Sequence, residues 1–149
     1  MKIIVIANIP LDSNHAHAIN TSKIADGFVK LGHKVTIICR NPINKGFSRS
    51  NFIKKFALSE SIEIKCFRFF KIFYLIDRYI FALQIVKDLY FLKPNLVYAR
   101  DYISPYLSSL LKINTFAESH AYPEYNSISL KIMINGLKKI KFFRGLSTI

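Results

Sequence analysis

Several residue types are scarce in this sequence. It contains no tryptophan, five glycines and two cysteines, and only nine acidic residues stand against 22 basic ones. It also lacks a run of about 18 apolar residues, the length that a membrane-spanning helix needs. The closest candidate, residues 69–92, carries five charged side chains. Hydrophobic residues nevertheless make up 51% of the chain, which excludes a disordered basic tail. We expect one domain with a buried core, spanning 1–149.

The two cysteines, Cys39 and Cys66, lie far apart in the sequence within apolar, strand-like runs. This spacing matches neither a disulfide framework nor a pair of zinc ligands, so we expect buried, reduced thiols in a cytoplasmic protein. Three of the four histidines, His15, His17 and His120, form a conceivable metal set. Because a His-x-His pair in a loop is weak evidence for ligation, no metal site is predicted.

Apolar runs alternate with segments of helical spacing. We predict strands at residues 2–9, 34–39, 61–67, 95–99, 114–117 and 146–149, and helices at 18–31, 71–92, 102–112 and 127–140. Residues 41–59 are predicted as a long loop with at most a short helical turn. Gly32 occupies the place of a helix C-cap glycine. The alternation predicts an α/β fold, a Rossmann-like doubly wound parallel sheet.

In such a sheet the ligand lies beyond the carboxyl ends of the strands, so the loops that follow strands hold the candidate site. No glycine occurs between Met1 and Gly27, which argues against the G-x-G-x-x-G fingerprint of dinucleotide enzymes. The first loop offers instead six polar side chains before or within the start of a helix, which suit an anionic or hydroxyl-rich ligand: Asp12, Asn14, His15, His17, Asn20 and Thr21. The alternative is a simple helix cap with exposed histidines.

Two further loops carry polar residues directly after strands. Arg100 follows the buried strand NLVYA, where a guanidinium can bind a carboxylate or phosphate. Its structural alternative is a salt bridge to Asp101 or Glu118. Glu118 and His120 follow the strand NTFA and are placed for binding or proton transfer. A serine hydrolase is not supported, because the G-x-S-x-G elbow is absent.

The positive charge is concentrated in two patches. Residues 34–71 hold nine basic and two acidic side chains, and residues 125–149 hold five basic and no acidic ones. Such patches indicate a polyanionic partner, either nucleic acid or an anionic membrane surface. The alternative is compositional drift, since an abundance of Ile, Lys, Asn, Phe and Tyr is expected from an AT-rich genome.

Three stretches together carry a resemblance to a known family: MKIIVIANIPLDSNHAHAINTSKIADGFVKLGHKVTIICR, KPNLVYARDYISPYLSSLL and TFAESHAYP. They resemble the N-terminal, acceptor-side domain of family 4-like retaining glycosyltransferases with the GT-B architecture. The segment LGHKVTIICR is shared widely among such enzymes. The combination of SNHAHAINTSKIADGF, VYARDYIS and AESHAYP is more specific. The resemblance covers most of residues 1–123.

The resemblance implies transfer of a sugar from a nucleotide-sugar donor to an acceptor hydroxyl, with retention at the anomeric carbon and without a required metal or cofactor. The implied acceptor is a glycan or a lipid-linked molecule in surface polysaccharide or glycolipid synthesis. His120 matches the histidine that contacts the transferred sugar, and Arg100 and Glu118 match polar positions facing the same cleft. Residues 14–20 match the segment that lines the cleft near the donor phosphates and the acceptor.

The sequence departs from the family pattern in two respects. Many relatives have a Gly-Gly pair in the first loop, and its absence here weakens the case for direct backbone contact with phosphate. The donor-binding domain is also missing from the sequence. We therefore expect an N-terminal domain cut short at its C-terminal end and inactive by itself. A donor domain encoded separately is one explanation.

A second interpretation comes from another functional class. A non-catalytic, basic Rossmann-like module would bind nucleic acid or a partner protein, with aromatic residues between bases at 67–71 stacking on single strands. These aromatic residues fit a strand and helix core better, so nucleic acid is the less favoured partner. In the glycosyltransferase interpretation, residues 40–55 and 131–144 hold the domain against anionic lipid at the cytoplasmic face of the cell membrane.

Overall fold

The computed structural model describes residues 1–12, 16–41, 46–67, 74–101, 103–119, 131, 135–136 and 143–148. Six strands alternate with helices along the chain. The strands are β1 Lys2–Pro10, β2 Lys34–Arg40, β3 Glu63–Phe67, β4 Leu96–Ala99, β5 Thr115–Ser119 and β6 Phe143–Thr148. The helices are α1 Ala16–Lys30, α2 Arg49–Phe56, α3 Tyr74–Leu92 and α4 Ile103–Leu110.

All six strands pair in parallel in one sheet, in the order β3-β2-β1-β4-β5-β6. The chain therefore builds outward from β1 in one direction, crosses the sheet through α3, and builds outward in the other direction. The order reverses between β1 and β4, which is where doubly wound sheets bind ligands. This topology confirms the prediction of a Rossmann-like doubly wound sheet.

Strand β1 is buried on both faces, which explains its continuous apolar sequence. Ile3 and Val5 face an apolar layer that includes residues of α1 and α2, whereas Ile4 and Ile6 face a second layer built on α3. All four side chains are fully buried. The two layers lie on opposite sides of the sheet because successive strand residues point to opposite faces.

The first helix ends at a glycine, as predicted. Gly32 has a φ of +81°, the left-handed conformation that glycine adopts without steric cost. Its N–H donates to the carbonyl of Val29 at 2.8 Å, and the next N–H, of His33, donates to Phe28 at 3.1 Å. These two bonds form a Schellman motif, which satisfies carbonyls at the end of α1.

Helices α2, α3 and α4 are each followed by a non-glycine residue in the left-handed conformation. Ala57, Lys93 and Lys112 follow α2, α3 and α4 with φ values of 47°, 45° and 61°. After α2 and α4 the hydrogen bonds again follow the Schellman pattern. The Schellman turn thus follows α1, α2 and α4. Only α1, of the helices α1 to α4, has glycine at the left-handed position.

The prediction of a loop over residues 41–59 is wrong, because eight of these residues form α2, Arg49–Phe56. Phe52 and Ile53 are buried against the sheet, and the ring of Phe56 lies 5.0 Å from that of Phe52. The basic residues and nearby turn-forming residues of this segment obscured its short apolar face. α2 begins after Ser48, whose backbone is extended as an N-cap position requires.

The last strand begins earlier than predicted, at Phe143 rather than at residue 146. Most of the helix predicted for 127–140 lies outside the described residues, but Lys131, Asn135 and Gly136 are helical. Gly136 lies against α4, where a Cβ atom would approach a ring carbon of Tyr106 to 2.6 Å. This contact is what a crossover helix packed onto the domain would make.

Helix α3 is the long helix between the two halves of the sheet. Phe81, Ile85 and Leu89 are buried in the second apolar layer, whereas Leu83 and Phe91 are exposed. The helix is therefore apolar on more than its buried face. Among the described residues, no helix has the length and apolar character needed to cross a bilayer.

A buried ion pair fixes the start of α3 to the end of β2. Arg40 Nη2 lies 2.6 Å from Asp77 Oδ2, and both side chains are only 3% exposed. Arg40 also donates to Asp77 Oδ1 at 2.8 Å, to the Asp77 carbonyl at 3.1 Å and to Asn8 Oδ1 at 2.8 Å. Its guanidinium carbon lies 4.3 Å from the ring centroid of Phe81. Several hydrogen bonds and a cation–π contact thus compensate for the loss of water around these charges.

Asp26 links α1 to the segment before β3. Its Oδ1 accepts hydrogen bonds from the N–H and the hydroxyl of Ser59, both at 2.7 Å, and its Oδ2 lies 2.7 Å from Lys30 Nζ. Burial alone would raise the pKa of Asp26, but the bonds from Lys30 and Ser59 outweigh burial and lower the pKa to about 2. The ionised form of Asp26 therefore stabilises the folded state.

We expect this contribution to disappear in acid. The pKa of Asp26 is lower in the folded chain than in the unfolded chain, where it is about 3.9, so the stabilisation is present above about pH 4 and is lost as the pH falls towards 2. The advantage of the native protein over Asp26→Asn in urea unfolding should shrink by about 2 kcal/mol over that range. Glu60→Gln, at an exposed carboxylate, is the control. A difference between native protein and Asp26→Asn that is constant with pH would contradict this assignment.

Candidate functional site

The carboxyl ends of β4 and β5 bring a group of polar side chains together beside the point where the strand order reverses. Arg100 follows the last residue of β4, and Glu118 is the fourth residue of β5. Arg100 Nη2 lies 3.3 Å from Glu118 Oε1. Arg100 Nη1 donates to the carbonyl of His17, in the first turn of α1, at 3.4 Å. One guanidinium thus joins β4, β5 and α1.

The Arg100–Glu118 pair is almost sealed from solvent. The side chains of Arg100 and Glu118 are 2% and 8% exposed. Burial lowers the pKa of the Arg100 guanidinium. An arginine side chain nevertheless keeps its charge in proteins. The pair is the salt bridge that the sequence offered as the structural alternative for Arg100. Binding of substrate by Arg100 stays a prediction.

The residue after Arg100 caps the next helix. Asp101 Oδ1 accepts a hydrogen bond from the N–H of Ser104 at 2.7 Å, the bond that an N-cap side chain makes to the first turn. This cap fixes the start of α4 directly beside Arg100. From the sequence, Asp101 was expected only as an ion-pair partner of Arg100. An Asp at the start of a predicted helix is nevertheless a recognised cap signal.

Three buried polar atoms near these elements have no hydrogen-bond partner among the described residues. They are Nε of Arg100 and the hydroxyl oxygens of Thr21, on α1, and Ser104, on α4. Thr21 lies one turn beyond His17, and Ser104 lies in the first turn of α4. Buried polar groups normally have a partner, so these atoms are suited to bind water or the hydroxyl or phosphate oxygen of a ligand.

The other predicted site residues are distributed unevenly. Asn14, His15 and His120 lie outside the described residues. His17 is half-buried near Arg100, and Asn20 is exposed on α1. The structure therefore brings together His17, Arg100 and Glu118 of the predicted set. Within the described ranges, no group of three or more His, Cys, Asp or Glu residues is arranged to hold a metal ion.

The structure also contains a cavity that was not predicted from the sequence. A cavity of about 260 Å³ lies between the end of β1 and α2, and its lining includes Asp12, Phe47, Phe52, Lys55 and Phe56. Three aromatic rings line it together with one carboxylate, one ammonium group and the polar side chains of Ser48 and Asn51. The spacing of Phe52 and Phe56, one helical turn apart, was the signal that could have revealed it.

Comparisons with known proteins identify related folds. No family model and no curated protein sequence matches the chain. Among solved structures, UDP-GlcNAc 2-epimerase from Methanocaldococcus jannaschii matches with a TM-score of 0.67 and 16% identity, over 99% of this chain and 39% of that one. Sucrose-phosphate synthase from Thermosynechococcus elongatus matches with a TM-score of 0.62 and 12% identity, over 93% and 39%. UGT73P12 from Glycyrrhiza uralensis matches with a TM-score of 0.61 and 16% identity, over 81% and 28%.

These similarities establish the fold and no more, because every identity is low. The chain spans between 28% and 39% of the length of these three structures. The neighbours are GT-B glycosyltransferases and an epimerase. The chain therefore has the Rossmann-like α/β fold found in GT-B-type glycosyltransferases.

The sealed pair predicts how substitutions at Glu118 will act. Glu118→Ala leaves the charge of Arg100 buried without its carboxylate, so we expect a loss of about 3–5 kcal/mol in the free energy of unfolding. The double variant Arg100→Met/Glu118→Leu should lose less, because it removes both charges. Urea unfolding measures both, with Glu60→Ala as the exposed control. A Glu118→Ala protein as stable as the native one would show that the pair has no structural role.

Proposed function

We propose that this chain is the acceptor-side part of a retaining glycosyltransferase related to family 4, which transfers a sugar from a nucleotide-sugar donor to an acceptor hydroxyl. One observation carries the proposal. His17, Arg100 and Glu118 meet at the carboxyl edge of the sheet, next to the reversal of strand order where ligands bind to this fold. The same residues belong to the stretches that resemble the family.

In this proposal the buried pair positions the residues that contact substrate. Arg100 holds Glu118 at the end of β5, and His120 follows two residues later in the chain. His120 contacts the transferred sugar, and its imidazole can donate or accept a hydrogen bond near neutral pH. The Arg100 Nε and the Ser104 hydroxyl, which have no partner among the described residues, supply further donors near the cleft. No metal or resident cofactor is invoked.

The cavity beside α2 supports an acceptor with an apolar part. Phe47, Phe52 and Phe56 supply aromatic walls, and Lys55 supplies a positive charge at the rim. A lipid-linked acceptor combines an apolar chain with a phosphate, and this lining complements both features. The acceptor hydroxyl would then face Asp12, which also lines the cavity.

The principal experiment measures sugar transfer. The assay contains the chain together with a donor-binding domain, where its gene encodes one. Radiolabelled nucleotide sugars are the donors, and a lipid extract supplies the acceptor. We expect transfer with retained anomeric configuration, and His120→Ala should reduce its rate by about 10²-fold or more. His33→Ala, at a partly exposed histidine that contacts Phe28, is the matched control and should leave the rate unchanged.

Three results would contradict the proposal in different ways. Transfer with inverted configuration would exclude the retaining mechanism. Equal rates for His120→Ala and His33→Ala would remove His120 from the site. Absence of transfer with every donor, together with salt-dependent binding of nucleic acid, would support the non-catalytic binding module instead.

We also propose that the domain touches anionic lipid at the inner face of the cell membrane. In the structure, two basic residues of the segment 40–55 are engaged within the protein, so fewer of them can contact lipid. Arg40 is buried with Asp77, and Arg49 donates to the carbonyl of Ile62 at 3.1 Å. Lys54 and Lys55 of α2 are exposed. Lys55 also lines the cavity beside α2. These two lysines are the part of residues 40–55 that supports the proposal most directly.

Sedimentation with liposomes tests this contact. Vesicles with anionic lipid should bind the protein at low salt, and Lys54→Glu/Lys55→Glu should weaken binding by at least about tenfold, since each basic residue near the surface contributes about 1 kcal/mol. Lys87→Glu, at an exposed lysine of α3, is the control. Equal binding to neutral and anionic vesicles would contradict an electrostatic contact.

A further inference from the structure

The two cysteines, far apart in the sequence, touch each other in the fold. Cys39 on β2 is opposite Cys66 on β3 in the register of the parallel pair. Their sulfur atoms lie 3.4 Å apart, and both are free thiols. Each cysteine is the last residue but one of its strand, so the thiols lie near the carboxyl edge of the sheet. The expectation of buried thiols is confirmed for Cys39, whereas Cys66 is partly exposed and in contact with Cys39.

The environments of the two thiols differ. Cys39 is 1% exposed and packs in the apolar layer on the α1 and α2 side of the sheet, whereas Cys66 lies on the edge strand and is partly exposed. The hydrogen bond between them lowers the pKa of Cys66, whereas the same bond and burial raise the pKa of Cys39. The negative charge of Asp12 opposes ionisation of both. Cys66 is thus the thiol that meets solvent, and Cys39 lies behind it.

The position of Cys66 on β3 also allows the sulfur atoms to come closer. A disulfide requires about 2.05 Å between the sulfurs, so the strands must approach or the side chains must turn. Among the described residues, β3 pairs only with β2 and lies at the outer end of the sheet. An edge strand can shift more readily than a central one.

We propose that Cys66 and Cys39 form a reactive dithiol, which a low-molecular-weight disulfide oxidises to a reversible Cys39–Cys66 bond. In the first step the Cys66 thiolate attacks one sulfur of the reagent, forms a mixed disulfide and releases the other sulfur as a thiolate. In the second step Cys39 attacks the Cys66 sulfur, and its proton passes to the second thiol that leaves. The protein loses two electrons, which reduce the reagent disulfide to two thiols.

The test uses oxidised glutathione on the purified, folded chain, followed by intact-mass spectrometry. The native protein should lose the mass of two hydrogen atoms and retain no glutathione. Peptide mapping without reductant should find the Cys39–Cys66 bond, and dithiothreitol should restore the original mass. Cys39→Ala should instead keep one glutathione on Cys66, because the thiol that displaces it is absent.

The reciprocal variant identifies the attacking thiol. Cys66→Ala should react at least about tenfold more slowly than the native protein, because the remaining thiol is buried and protonated. Circular dichroism and urea unfolding verify that both variants are folded. The proposal is overturned if glutathione stays on Cys66 of the native protein, if the new bond joins two chains, if Cys66→Ala reacts at the native rate, or if the folded native protein does not react at all.

Discussion

The buried ion pair between Arg40 and Asp77 is the constraint that joins the two halves of this domain. It ties the end of β2 to the first turn of α3, and α3 is the helix that carries the chain across the sheet to β4. Arg100 follows β4 directly, on the half of the sheet to which α3 leads. A lone charge at this place would cost about 3–5 kcal/mol. Asn8, the Asp77 carbonyl and the Phe81 ring complete the contacts that make the pair tolerable.

The candidate site also contains a buried ion pair, Arg100 with Glu118, but its hydrogen bonds are less complete than those of Arg40 and Asp77. Arg40 makes several hydrogen bonds to partners on three sides, whereas Arg100 approaches Glu118 and the His17 carbonyl at longer distances and leaves its Nε without a partner among the described residues. A buried charge that is only partly satisfied is an arrangement typical of functional sites, because a ligand can complete it. The first pair stabilises the fold, and the second retains the capacity to interact further.

The fold was largely predictable because its signals are local and repeated. Continuous Ile- and Val-rich runs marked the buried strands, and Gly32 marked the end of α1. α2 was missed because its apolar face is limited to a few residues among three basic ones. For the site, the strand ends predicted that Arg100 and Glu118 would lie together. The contact between Cys39 and Cys66 was not predictable, because it depends on which strands become neighbours and in what register.

The left-handed residues after the helices have a consequence for the order in which the domain folds. The local sequence favours the end of α1, because Gly32 adopts the left-handed conformation without steric cost. For Ala57, Lys93 and Lys112 that conformation has a steric cost, which the hydrogen bonds and packing of the folded chain offset. We therefore expect the end of α1 to form early, within its βαβ unit, and the ends of α2, α3 and α4 to form as these helices dock on the sheet.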